Sequence, residues 1–282
     1  MNFDAEIVRS RQNRAVVELC KLTDRKAREA SRSFRFDGIK LLGEAIRNGV
    51  VPERIFFRES DAERLIRQIT DAYGATAFDG VARILVLCDD LFDKISEEKS
   101  PEGVISVAKY IDKLQKNATI YNSAYFSELA DQSVVLLESI RDPSNVGAVI
   151  RSAAAMGVDR LIISADCADI YHPRAVRASM GTLFNQHIDR VADLPAVIRG
   201  LRESGRRVFA AALDDRAQRL GSFEILCGDC VVIGNEGHGL SPETLEASSG
   251  SVLIPMSARA ESLNAAVAAS ILMWEFSKSS IL

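Results

Sequence analysis

The stretch Val231-Val232-Ile233-Gly234-Asn235-Glu236-Gly237-His238-Gly239-Leu240-Ser241 carries an apolar strand straight into a loop of three glycines around one carboxylate. Glycine tolerates positive φ and lacks the Cβ that blocks close approach, so such a loop lets polar ligand atoms reach main-chain N–H and C=O groups. A small-molecule site is expected here. Glu236 can accept a donor from the ligand, anchor a neighbouring loop or offset a positive charge, and the plain alternative is an exposed turn carboxylate. Upstream stands Asp142-Pro143-Ser144-Asn145-Val146-Gly147-Ala148-Val149-Ile150-Arg151. Its first four residues are good turn and N-cap chemistry, so Asn145 either caps a helix or serves a ligand. Arg151 is flanked by Ala148-Val149-Ile150 and Ala153-Ala154-Ala155, and burying it there without a partner is costly, which argues for a function. A guanidinium, with its pKa above ~12, clamps phosphate or an oxyanion more readily than it gives up a proton. Downstream, Glu261-Ser262-Leu263-Asn264 opens the last helix, whose N–H groups favour polar or negative ligand atoms. Glu261 and Ser262 have ordinary capping chemistry as well.

Together with Ile254-Pro255-Met256, these strings resemble motifs 1, 2 and 3 of the SpoU (TrmH) family of the SPOUT class, which move a methyl group from S-adenosylmethionine to a ribose 2′-hydroxyl of RNA. The resemblance implies catalytic or substrate contacts from Asn145, Arg151, Glu236, Ser262 and Asn264. It implies a cofactor pocket formed by Gly234, Asn235, Gly237, Gly239, Ile254, Met256 and Leu263. His238 varies in such loops and is read as a bystander. Relatives carry glycine where this chain has Ala258, followed by Arg259, so added bulk reshapes that loop. The first hundred residues resemble the family's small RNA-binding domain of the ribosomal protein L30e type. Ser33 to Gly38, Ser96 and Pro101-Glu102-Gly103-Val104 carry that likeness, with Asp37 where many relatives have Glu.

The resemblance further implies an S-adenosyl-L-methionine-dependent enzyme without a metal, acting on structured RNA as a homodimer whose protomers both place motif residues near the site. Relatives with an L30e-like front domain favour 23S ribosomal RNA. Transfer RNA as substrate and a catalytically silent RNA-binding relative stand as alternatives. The implied fold is α/β, a parallel-sheet methyltransferase domain with a C-terminal trefoil knot preceded by the smaller α/β domain. A knot is an exception to the near absence of knots in proteins.

The elements that must position these residues can be read along the chain. At 282 residues and 47% hydrophobic content, two domains with ample core are the expectation. We divide the chain into a substrate-binding domain at 1–112, a polar linker at 113–131 and a catalytic domain at 132–282. In the first, strands at 33–36, 54–58, 81–88 and 103–110 alternate with helices at 39–48, 62–73 and 91–95, after basic helices to residue 30. In the last, strands at 134–138, 160–164, 185–191, 207–213, 231–234 and 252–255 alternate with helices at 146–156, 174–180, 194–203, 242–247 and 263–276. Continuous apolar strands between helices predict a parallel sheet covered on both faces. The glycines read G-x-x-G-x-G late in the domain, which argues against a Rossmann dehydrogenase, and no G-x-x-x-x-G-K-[ST] occurs.

Net charge is −4, awkward for an RNA enzyme, because phosphate contacts need clustered cations. Distribution answers this. Between Arg9 and Arg35, nine basic residues (Arg9, Arg11, Arg14, Lys21, Arg25, Lys26, Arg28, Arg32, Arg35) face three acidic ones (Glu18, Asp24, Glu29), so the segment is +6. A basic helical arm follows, with Arg9, Arg11, Arg14, Arg25 and Lys26 as RNA contacts, and a solvated amphipathic helix pair as the plain reading. Arg174 and Arg177 share a helix face, suited to phosphate or to a subunit contact. Five scattered cysteines are no secreted disulfide framework. Cys227-Gly-Asp-Cys230 has zinc-knuckle spacing but no second ligand pair, and Cys230 leads into an apolar strand where it packs as a small hydrophobe. The apolar run Leu263 to Trp274 is shorter than the ~20 residues of a membrane span, and no signal peptide opens the chain. A soluble, cytoplasmic protein is expected.

Overall fold

Several helices begin where the sequence supplies a capping side chain. In a computed structural model, which describes residues 7–214, 217–257, 259 and 262–281, strand β1 (Ile7–Val8) precedes helix α1 (Arg14–Lys21), capped by Asn13, and α2 (Arg25–Ser31), capped by Asp24. Ala258 and Glu261 lie outside the described residues. There follow β2 (Ser33–Asp37), α3 (Ile39–Arg47), β3 (Arg54–Arg58), α4 (Ala62–Tyr73), β4 (Arg83–Leu87), α5 (Asp89–Ile95) and β5 (Val104–Lys109). The strands form one mixed sheet in the order β1-β4-β3-β5-β2, with β5 antiparallel to both its neighbours. Apolar faces close the core against it: α1 buries Ala15, Val16 and Leu19 beside Phe56, Leu87 and Phe92.

The remainder runs β6 (Gln115–Ala118), α6 (Ser123–Glu128), β7 (Val134–Leu137), α7 (Pro143–Ala155), β8 (Arg160–Ser164), α8 (Pro173–Ala178), β9 (His187–Val191), α9 (Leu194–Glu203) and β10 (Val208–Ala211). It ends with β11 (Gln218–Arg219), β12 (Cys230–Ile233), α10 (Pro242–Ala247), β13 (Gly250–Leu253) and α11 (Ala265–Ile281). Eight strands form a wholly parallel sheet in the order β11-β13-β10-β12-β7-β8-β9-β6. Its central strands, VVLL in β7 and CVVI in β12, are buried at every position, as a sheet covered on both faces requires.

The chain divides into two compact units, Met1–Ile111 with Asp169–Phe184, and Asp112–Ala168 with Asn185–Leu282. Helix α8 therefore belongs with the amino-terminal unit, although the sequence places it inside the catalytic stretch. The contacts explain it: Arg28 and Asp169 form a buried ion pair at 2.6 Å, Tyr110 stacks on Tyr171 with centroids 4.0 Å apart, and Phe36 meets Phe184 edge-on. The stretch 113–131, expected as a polar connection, carries an edge strand, β6, and helix α6. Phe126 of α6 occupies the space a Cβ on Gly200 of α9 would need.

Candidate active site

Strands β7 and β12 lie side by side at the centre of the parallel sheet, so their carboxyl ends meet, and ligands of such sheets bind just outside those ends. The glycine loop leaves β12 there and closes on itself: Asn235 and Gly239 exchange main-chain hydrogen bonds at 2.9 and 3.0 Å. A Cβ on Gly234 would stand 2.5 Å from the carbonyl of Gly239, so only glycine fits, and Gly239 itself has φ +69°. Asn235 organises the interior of the loop, its Oδ1 accepting the amides of Gly237 and His238 at 2.8 and 3.1 Å.

A hydrogen-bonded chain of three side chains crosses this loop. Asn264 donates through Nδ2 to Asn145 Oδ1 at 3.0 Å, and Asn145 donates through Nδ2 to Glu236 Oε1 at 2.7 Å. Three strings far apart in sequence thus meet in one network. Their freedom to meet depends on the caps. Helix α7 starts at Pro143 and is capped by Asp142, whose side chain accepts the amide of Ser144 at 2.8 Å, so the side chain of Asn145 is not spent as a cap. The last helix is capped by Asn264, whose Oδ1 accepts the amides of Ala266 and Val267, while its Nδ2 remains for Asn145. Ser262 and Leu263 precede the helix, which begins at Ala265.

Against the loop lies a cavity of about 420 Å³ walled by Gly234, Asn235, Glu236, Gly239, Ile254, Met256, Ser262 and Leu263. Gly237 is off this wall. His238 is on it, as are Leu240, Leu213, Leu245 and Leu272, none of which was anticipated as a contact. Strand β13 ends at Leu253, so Ile254 and Met256 lie in the segment after it. Leu213, Leu245 and Leu272 follow β10 or sit on α10 and α11, and only the fold brings them to one wall, whereas Leu240 directly follows the glycine loop. A different signal was available for Glu138, a carboxylate at the end of the apolar run of β7. It is 8% exposed and accepts hydrogen bonds from the amide and hydroxyl of Ser241 and from the hydroxyl of Thr244.

Arg151 corrects an expectation. It is exposed on α7 rather than buried, because the inward positions of that helix are Val146, Gly147, Val149, Ile150 and Ala153, and it does not line the cavity. The cost of an unpaired buried charge therefore does not arise, and a role for it has to come from outside this wall. The neighbouring cysteines separate in character: Cys227 is exposed, whereas Cys230 is fully buried in β12, and burial pushes its thiol up to about 12.

The expected RNA contacts all fall in the amino-terminal unit, Arg174 and Arg177 included. Arg9, Arg14, Arg25 and Arg177 pair with Glu59, Glu18, Glu29 and Glu98 at 3.6, 2.9, 2.7 and 3.8 Å, while Arg11, Lys26 and Arg174 are exposed without an ion pair among the described residues. Two of the nine cations counted in the basic segment are core residues. Arg28 and Arg35 are each 1% exposed, bound to Asp169 and Asp37 and to main-chain carbonyls of Leu22, Thr23 and Ile95. Periodicity cannot separate such structural arginines from solvated ones.

Comparison with known proteins bears on both units. Residues 132–274 match the model of the SpoU rRNA Methylase family, and residues 13–106 match an MRM3-like substrate binding domain. The chain is 27% identical over 270 residues to a Bacillus subtilis protein named 23S rRNA (guanosine(2553)-2′-O)-methyltransferase RlmP, covering 95% of this chain and 97% of that one. Over 145 residues, half of each chain, it is 34% identical to a 23S rRNA (uridine(2479)-2′-O)-methyltransferase of Streptomyces viridochromogenes. An AdoMet-bound rRNA methyltransferase from Sinorhizobium meliloti has the same fold, with a TM-score of 0.78, 26% identity and coverage of 99% of both chains.

Proposed function

The chain belongs to the SpoU rRNA Methylase family, and from that premise we infer that it methylates a ribose 2′-hydroxyl of structured RNA, with S-adenosylmethionine as donor and 23S ribosomal RNA as the favoured substrate. The observation that carries this reading is the Asn264–Asn145–Glu236 network at a cavity built on a glycine loop. The residues present fit the cofactor. The contact between Gly234 and Gly239 that no Cβ allows makes a main-chain cradle, Ile254, Met256 and Leu263 supply apolar walls for a flat ring, and the volume lies within the ~300–1,000 Å³ of small-molecule sites.

When bound, S-adenosylmethionine supplies a methyl group already made electrophilic by its sulfonium, so positioning is the protein's main task. Glu236 Oε1 is held by Asn145, which aims the carboxylate at the cavity, where it offsets positive charge. Asn264 fixes Asn145 in turn and orients the pair from the start of α11. Ser262 faces the same cavity and offers a hydroxyl to a polar ligand atom. Arg151 is assigned as a clamp on a phosphate or on the developing alkoxide, in keeping with the chemistry of guanidinium.

Because Arg151 is exposed and does not line its own cavity, we place it at the site of a second protomer. A homodimer is supported by α11, which exposes Val267 and Trp274, 48% and 42%, seven residues apart on one face. The family reading also includes a C-terminal trefoil knot, supported by a sheet order in which β10 lies between β12 and β13. The substrate RNA enters through the amino-terminal unit, where Arg11, Lys26 and Arg174 offer exposed cations. Such an enzyme works where ribosomal RNA is made, which in a cell without a nucleus is the cytoplasm. No described helix is long and apolar enough to cross a membrane.

The test is transfer of labelled methyl from S-adenosylmethionine to ribosomal and transfer RNA, followed by digestion to nucleosides. Label is expected in a 2′-O-methylnucleoside of 23S RNA. Label in a methylated base, or in transfer RNA alone, overturns the assignment, and cofactor binding without transfer to naked or assembling ribosomal RNA identifies a silent binding protein.

A further inference from the structure

We propose that the carboxyl end of β7 is a two-point clamp that shapes the glycine loop, with Glu138 as a positioning residue for the cofactor. The inference rests on the cofactor reading of the cavity. A loop holding Gly234, Gly237 and Gly239 has many backbone states open to it, and its internal hydrogen bonds through Asn235 and Gly239 close the turn without tying it to the rest of the fold. Two consecutive residues just past the carboxyl end of β7 do the selecting from outside. Glu138 holds the far end: Oε2 accepts the amide of Ser241 at 2.8 Å, and Oε1 accepts the hydroxyls of Ser241 and Thr244 at 2.8 and 2.7 Å. Ser139 holds the near end, its carbonyl accepting Asn235 Nδ2 at 2.7 Å, and Asn235 passes that constraint to the amides of Gly237 and His238.

The near point is itself fixed against strain. Ser139 has φ +56°, the left-handed region that is uncommon for a residue with a side chain. Its amide donates to Ser164 Oγ at 2.9 Å and its hydroxyl to Asp166 at 2.6 Å, so the backbone turn that aims the carbonyl at Asn235 is held from two directions. Strain kept at a strand end facing a ligand loop, rather than relieved by glycine, is the mark of a position that must point one way. The far point has its own peculiarity: Glu138 is 8% exposed, and its described partners are neutral donors with no cation among them. A carboxylate buried on such terms depends on its hydrogen bonds. Glu138→Gln keeps the shape but replaces one acceptor oxygen with a donor that faces another donor.

The experiment uses the full chain and reads two quantities: amide hydrogen exchange over residues 235–241 without ligand, and the Kd for S-adenosylmethionine by calorimetry. For Glu138→Gln we expect faster exchange in the loop and a Kd raised about tenfold, equivalent to ~1.4 kcal/mol. The KM for S-adenosylmethionine should rise by more than kcat falls. A variant that melts earlier yet keeps wild-type loop exchange and Kd overturns the clamp and leaves Glu138 a stability residue. Should Glu138→Gln fail to fold, Thr244→Val and Ser241→Ala each remove one donor, and unchanged exchange and Kd in both overturn the proposal. A wild-type chain with no affinity for S-adenosylmethionine overturns the cofactor reading instead. Loop exchange then decides the clamp alone, faster in the variants if it stands and unchanged if it falls.

Discussion

Arg151 and Gly234 separate two kinds of importance at the scale of the residue. Gly234 matters through what it lacks: any Cβ meets the main chain of Gly239 at 2.5 Å and the amide of Leu240 at 2.7 Å, and main chain cannot swing aside. Gly234→Ala is therefore expected to cost 1–3 kcal/mol, about the cost of overpacking, and to weaken S-adenosylmethionine binding by about tenfold or more in calorimetry. Arg151 matters, on our reading, only when substrate is present. Arg151→Ala should lower kcat for methyl transfer by roughly a hundredfold, the order seen when a transition-state donor is removed, while Tm and cofactor Kd stay near wild type. Normal turnover in that variant removes the clamp role. The sequence showed both residues as unusual, but it gave the wrong reason for Arg151. An apolar neighbourhood along the chain is not a buried one when the residue faces away from the sheet.

Elements with strong local signals were legible in full. The bounds of β3, α4, β8, α9 and α10 match the sequence reading because the apolar pattern is clear at each, and α9 and α10 also start on capping side chains, Asp193 and Ser241. Where those signals were missing, reading failed for physical reasons. Strand β6 is QKNA at the edge of the sheet and half exposed, so it has no apolar pattern, and its pairing with β9 is a tertiary fact. Strand β9 carries a charge network of its own. His187 lies where burial, Arg160 and Lys116 all disfavour its cationic form, against weaker opposing pulls from Asp189 and Glu128, so its pKa is lowered in the fold. Its Nδ1 is buried without a hydrogen-bond partner among the described residues. The unfolded chain then binds the proton more readily. Stability present above the unfolded value near ~6.5 is lost as pH falls below it. We expect His187→Asn to flatten the decline in Tm between about pH 7 and about pH 5, as followed by thermal unfolding in matched buffers.

The whole molecule joins a unit that offers cations to a unit that offers a cofactor site, and the proposed dimer completes it. Val267→Glu with Trp274→Glu should shift sedimentation from dimer to monomer, since charges on an apolar contact face are left unpaired there, and methyl transfer should fall with it while cofactor binding persists. A dimeric, active double variant rules that face out. The division of the chain into units was only partly readable, because Asp169–Phe184 leaves one sheet between β8 and β9, packs in the other unit through Asp169, Tyr171 and Phe184, and returns. That excursion has a meaning for ancestry and for engineering. The amino-terminal unit is not a detachable cartridge, because part of it is encoded within the catalytic half. A change of RNA specificity by exchanging front units between relatives must move two separate pieces of gene together, and a chimaera joined only at residue 111 inherits one lineage's Arg28 and another's partner for it.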